Sequence, residues 1–140
     1  MTTEIRKTII IDAPPSRVFK ALTEENELNQ WYSKEAKFNA RIGSEFTLKM
    51  HWASRGLDFD IKGDILELIP NKKLSYTWKS VRLTDTQETP IITWLLEPLT
   101  DGKTRVTVIQ TSVTKEFWQD TETGWSHFLS QLANHCKQIS

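Results

Sequence analysis

The last stretch of the chain, GWSHFLSQLANHCKQIS (124–140), gathers side chains that carry reactive chemistry: His127, His135 and Cys136, the only cysteine. A thiol paired with a histidine is the arrangement of a cysteine nucleophile. Here the placement favours packing instead. Cys136 falls inside an apolar stripe, where cysteine behaves as a small hydrophobe. Metal binding fits no better. His127 and His135 stand two helical turns apart, roughly 12 Å by helical rise, too far for one ion. No C-x-x-C or H-E-x-x-H spacing occurs, so neither a metal nor another cofactor is expected. His127 is expected in solvent and His135 at the edge of the stripe, at the rim of any pocket there.

Acid–base chemistry would need a histidine or carboxylate held in a pocket. His51, Asp58, Asp60 and Glu97 are the available groups. His51 alternates with apolar neighbours and so lies on the opposite strand face, and Asp58 and Asp60 share a face that reads as solvated. No G-x-S-x-G elbow is present. No catalytic residue is assigned. The aromatic residues carry the stronger signal. There are six tryptophans in 140 residues, and Trp and Tyr combine apolar bulk with a polar handle suited to pocket walls.

The elements that must position these groups follow from periodicity. Thr3–Ile11 reads as a strand, stopped by Asp12-Ala-Pro-Pro15. Proline is tolerated in the first turn of a helix, and Val18, Phe19 and Leu22 then share a helical face. Thr23 is a candidate cap for a second short helix that carries Leu28 and Trp31 and ends near Tyr32. From Glu35 the period becomes two. Phe38, Ala40 and Ile42 alternate, then Phe46, Leu48, Met50 and Trp52, then Leu57, Phe59 and Ile61. Near Gly63 the phase slips to Leu66 and Leu68, which predicts a bulge. Leu74, Tyr76 and Trp78 form the next face, followed by Ile92, Trp94 and Leu96. Asp101-Gly102 is a hairpin turn signal, with Val106 and Val108 beyond it. Trp125, Phe128, Leu129, Leu132, Ala133, Cys136 and Ile139 follow helical spacing, with a cap expected in Asp120–Thr123. Ala53–Gly56 and Thr84–Pro90 are the expected flexible stretches.

The order is strand, two short helices, about six strands and a long helix. That predicts an α+β domain spanning residues 1–140, with a curved antiparallel sheet of six to seven strands and the terminal helix laid across its apolar face. Formal charge is zero and no basic stripe occurs, so nucleic acid is not an expected partner. No segment approaches a signal peptide or a membrane span. A cytoplasmic protein is expected, a monomer or a weak homodimer.

The stretches APPSRVFKALTEENELNQWY (13–32), GSEFTLKM (43–50), GDILELIPNKKLSYTW (63–78), TWLLEPLTDGKTRVTV (93–108) and GWSHFLSQLANH (124–135) carry a family resemblance. The chain resembles bacterial homologues of the activator of the ninety-kilodalton heat-shock protein ATPase. These belong to the START and birch-pollen-allergen-like (SRPBCC) superfamily of helix-grip folds. Gly43-Ser44 stands where that family often has Gly-Gly. The resemblance implies a deep cavity between sheet and terminal helix, opening near the short helices. Trp31, Met50, Phe59, Tyr76, Trp78, Trp94, Trp125, Phe128, Leu132 and His135 are expected around it, with Trp31 and Phe59 at its mouth. Three functions fit: non-enzymatic binding of a small hydrophobic molecule (lipid, polyketide or flavonoid-like), a stress-related co-chaperone-like module that binds a chaperone or other protein, or an enzyme acting on an aromatic or polyketide-like substrate in the same cavity.

Overall fold

The first strand, β1 (Ile5–Ile11), leads through Pro14 into α1 (Pro15–Thr23) and α2 (Glu25–Trp31). Strands β2 (Glu35–Lys37), β3 (Glu45–Trp52), β4 (Leu57–Ile69), β5 (Lys73–Thr77), β6 (Lys79–Ser80), β7 (Ile91–Pro98) and β8 (Thr104–Gln110) follow, and α3 (Trp118–Lys137) comes last. The computed structural model describes residues 4–52, 56–80, 89–113, 115 and 118–137. The expectations for 53–55, 84–88 and Ile139 therefore lie outside the described residues.

All strand pairings are antiparallel. The sheet runs β1-β8-β7-β5-β4-β3-β2, with the two-residue β6 also paired to β4. The order of elements predicts this antiparallel sheet with a terminal helix, and the family resemblance implies its helix-grip architecture. Alternation does most of the work in the sheet. Ile92, Trp94 and Leu96 on β7 are buried while Ile91, Thr93 and Leu95 are partly exposed. Phe46, Leu48 and Met50 on β3 are buried to 1% exposure or less. Burying each such side chain contributes about 1.5–3 kcal/mol relative to leaving it in water.

Pro15 occupies the first turn of α1, and Val18, Ala21 and Leu22 form its buried face. Thr23 does not cap α2. It closes α1, its hydroxyl donating to the Phe19 carbonyl at 2.8 Å, and Glu24 occupies the cap position without a side-chain bond. After β2, Ala40 and Ile42 do not continue a strand; Ile42 is 62% exposed. α3 begins at Trp118, so Asp120–Thr123 lies within the helix rather than capping it.

The phase slip on β4 sits two residues later than the sequence suggests. Ile61, Gly63 and Ile65 all point inward, and the irregularity falls between Ile65 and Glu67, leaving Leu66 exposed. Gly63 serves close approach instead. A Cβ there would lie 2.0 Å from the Thr77 carbonyl oxygen and 2.7 Å from the Phe46 ring. In the β7–β8 hairpin Gly102 adopts φ +78°, open to glycine at little cost. The Leu99 amide donates to the Lys103 carbonyl across that turn at 2.8 Å.

Candidate functional site

Between α3 and the sheet the interior is a continuous stack of aromatic rings. Trp31 and Tyr32 come from the end of α2, Tyr76 from β5, Trp94 from β7, and Trp125 and Phe128 from α3. Tyr32 is central, with ring centroids at 4.7 Å from Trp31, 4.9 Å from Phe128, 6.1 Å from Trp78 and 6.4 Å from Trp125. Trp94 meets Trp125 edge-on at 5.6 Å and Trp31 at 6.2 Å. These offset and edge-to-face geometries suit ring quadrupoles.

The polar handles are mostly satisfied. Trp31 Nε1 donates to the Ala21 carbonyl at 2.8 Å, Trp94 Nε1 to the Tyr76 hydroxyl at 2.9 Å, and Trp125 Nε1 to Gln110 Oε1 at 2.6 Å. Tyr32 Oη is the exception. It is buried and, among the described residues, meets no partner in strict hydrogen-bonding geometry, although the neighbouring Tyr76 phenol interacts with it as a hydrogen-bonding group. Burial, with a smaller push from Tyr76, raises the Tyr32 hydroxyl well above its ordinary range. Burial likewise raises Tyr76 to about 12. Both phenols are neutral at physiological pH and act as hydrogen-bonding groups, not bases.

Of the residues expected around a cavity, Trp31, Tyr76, Trp78, Trp94, Trp125 and Phe128 pack against one another. Met50, Trp94 and Leu132 are 0% exposed, and Tyr76 and Trp125 are buried. Trp31, expected at the mouth, lies inside at 5% exposure. Trp78, Phe128 and Phe59 are partly buried, and Phe59 lines a hollow on the outer face with Lys34, Asp58 and Asp60. Shallow hollows run along the outer face of β2–β4, among charged side chains that include Glu35, Lys49 and Asp60. Tyr32 was not anticipated. Its only sequence signal is adjacency to Trp31 at a helix end.

His135 departs furthest from expectation. It is buried, not at a rim, and its Nε2 lies 2.5 Å from Glu27 Oε1. The same oxygen accepts from Arg17 Nη1 at 3.1 Å. One group from each of α1, α2 and α3 thus meets in a buried ion cluster. Burial works to raise the Glu27 carboxyl, but hydrogen bonds from His135 and Arg17 outweigh it and hold the group below its usual value. Arg17 Nε and Nη2 are also buried and meet no acceptor among the described residues. Cys136 lies beside this cluster, buried, its thiol pushed up to about 11 by desolvation.

A second histidine–carboxylate pair stands on the outer face. His51 Nδ1 is 2.7 Å from Asp58 Oδ1, and Lys34 Nζ is 2.8 Å from Asp58 Oδ2, all well exposed. His127 is exposed, as expected. Among the described residues no three His, Cys, Asp or Glu side chains are placed to hold a metal ion. Nor is any helix among them long and apolar enough to cross a membrane.

Comparison with known proteins locates the chain. The family described as "Activator of Hsp90 ATPase homolog 1-like protein" matches residues 12–137. A Chromobacterium violaceum protein of known structure shares 26% identity, with 94% of this chain and 95% of that one covered and a TM-score of 0.78. The Aha1 dimer from Colwellia psychrerythraea, solved in solution, shares 24% identity over 94% of each chain, with a TM-score of 0.71. DynU16, from the dynemicin biosynthetic locus, shares 16% identity with a TM-score of 0.80; 96% of this chain covers 47% of that one. No curated protein matches the chain.

Proposed function

Given that the chain belongs to the Activator of Hsp90 ATPase homolog 1-like family, we propose that it binds a small, flat apolar molecule within the aromatic interior between α3 and the sheet, without catalysing a reaction. The observation that carries this reading is Tyr32. A phenol buried in a ring cluster, whose hydroxyl has the Tyr76 phenol beside it but no partner in full hydrogen-bonding geometry among the described residues, is costly for a core whose role is packing alone. It suits a site where a ligand oxygen completes the bond. The partly buried rings of Trp78 and Phe128 pack against the Tyr32 ring. Their rotation would admit a planar guest to a wall of rings. The tyrosines, held neutral, favour recognition over proton transfer. A relative encoded in a biosynthetic locus for a small molecule fits the same role.

The test is a thermal-shift panel of flavonoids, naphthols, sterols and fatty acids, with tryptophan quenching as the second readout. A ligand at 100 times its dissociation constant stabilises by about 2.7 kcal/mol. Tyr32→Phe is expected to weaken binding of hydroxylated or carbonyl-bearing hits more than that of plain hydrocarbons. No shift and no quenching across the panel would refute the reading.

A further inference from the structure

The interior reading leaves one buried group unused. Arg17 holds Glu27 through Nη1, and its Nε and Nη2 atoms are buried and meet no acceptor among the described residues. Those two nitrogens define the side edge of the guanidinium, where two N–H bonds point in parallel. That fork matches the two oxygens of a carboxylate. Leaving buried donors of a charged group unpaired is among the more costly arrangements in a protein interior.

We propose that this edge of Arg17 receives a carboxylate, so that the ligand of the aromatic interior is an aromatic or otherwise apolar carboxylic acid. The proposal rests on the interior reading and adds the head group to it. Two features support it. The fork is pre-organised, because Glu27 fixes the guanidinium from another nitrogen and His135 fixes Glu27. The cluster also continues into the ring stack. Glu27 precedes Trp31 by one turn of α2, about 6 Å of helical rise. On α3, His135, Leu132 and Phe128 follow one stripe over about 10 Å of rise. An acid seated on Arg17 with a body two fused rings long would run along both helices toward Tyr32.

The experiment compares 2-naphthoate with its methyl ester, which has the same rings without the charge. Tryptophan quenching gives affinity, and the Arg17 Nε–H resonance of protein labelled with 15N-arginine reports the fork. The acid is expected to bind at least about tenfold more tightly than the ester, the worth of a charge-assisted pair, and to move the Arg17 resonance, which the ester leaves in place. In Arg17→Lys, which keeps a cation for Glu27 but removes the planar fork, the preference should fall to about twofold. Equal binding of acid and ester with an unmoved resonance would overturn the carboxylate site and leave the interior reading standing. Failure of both probes to quench would overturn both. The wild-type readings decide the matter even if the variant does not fold.

Discussion

The molecule places histidine, carboxylate and cation together twice. At the junction of the three helices His135, Glu27 and Arg17 meet with contacts of 2.5 and 3.1 Å; on the outer face His51, Asp58 and Lys34 meet with contacts of 2.7 and 2.8 Å. By distance alone the two groups are near twins. By environment they are opposites: the side chains of His135 and Glu27 are 7% and 8% exposed, those of His51 and Asp58 50% and 57%. In water a pair of unit charges at 4 Å is worth only about 1 kcal/mol, and salt screens it further. Out of water the attraction grows, and so does the penalty for losing either partner. Both carboxyls are held below their usual range. For Asp58 hydrogen bonds from Lys34 and then His51 do so; for Glu27 the partners must first overcome desolvation. The outer group therefore decorates the sheet, whereas the inner one fastens α3 to α1 and α2.

The contrast can be broken most forcefully at Glu27. Glu27→Gln leaves Arg17 without its counter-charge and should cost about 3–5 kcal/mol in urea unfolding, the range for breaking one partner of a buried pair. A loss no greater than that of a surface change would erase the distinction between the two groups. Cys136 reports the same dry surroundings. With its thiol at about 11, reaction with a disulfide reagent at pH 8 should run more than about a hundredfold slower than in the unfolded chain, where the thiol titrates near 8.5. Rapid labelling of the folded protein would show that the junction is wet.

The pH dependence sharpens the point. A carboxyl whose folded value is lowered contributes stability above its unfolded value, near 4.3, and loses it as pH falls through the folded value. Glu27 should therefore add up to about 1.4 kcal/mol per pH unit to the acid-side slope of unfolding free energy, and Glu27→Gln should flatten that slope. The smallest effect belongs to the outer group. Asp58→Asn should leave the melting temperature unchanged within error at physiological salt, since exposed pairs contribute little. A clear loss would mean that the outer cluster is more than decoration.

Much of this was legible in the sequence because periodicity reports burial. The α3 stripe from Trp125 to Cys136, the alternation on β7 and the antiparallel order all appear in the fold as expected. What escaped has specific causes. His135 and Glu27 are 108 residues apart, and no local pattern joins two polar residues across that span. On α3, His135 precedes the buried Cys136, so a one-sided stripe assigns it to the edge. Gly63 stood where the apolar phase changes, and a bulge and a close approach both call for glycine; only the Thr77 carbonyl and the Phe46 ring distinguish them. Ile42 mimicked a strand face because a turn residue can be apolar without being covered. Tyr32 was hidden by its neighbour, since adjacent aromatics on a helix are not expected to face one volume.

The pairing of β1 with β8 has a consequence for how the molecule is made. Thr8 meets Thr107 across that ladder, 99 residues along the chain. During synthesis β1 leaves the ribosome well before β8, its sheet partner among the described residues. Until then β1 has no sheet to join, and its main-chain donors and acceptors are available to any passing strand. Such distant closure also slows folding, because the entropy of the intervening loop must be overcome before the contacts reward it. The N-terminal strand is thus the segment a nascent-chain chaperone would find open longest, and the moment β8 arrives is the moment the sheet can shut.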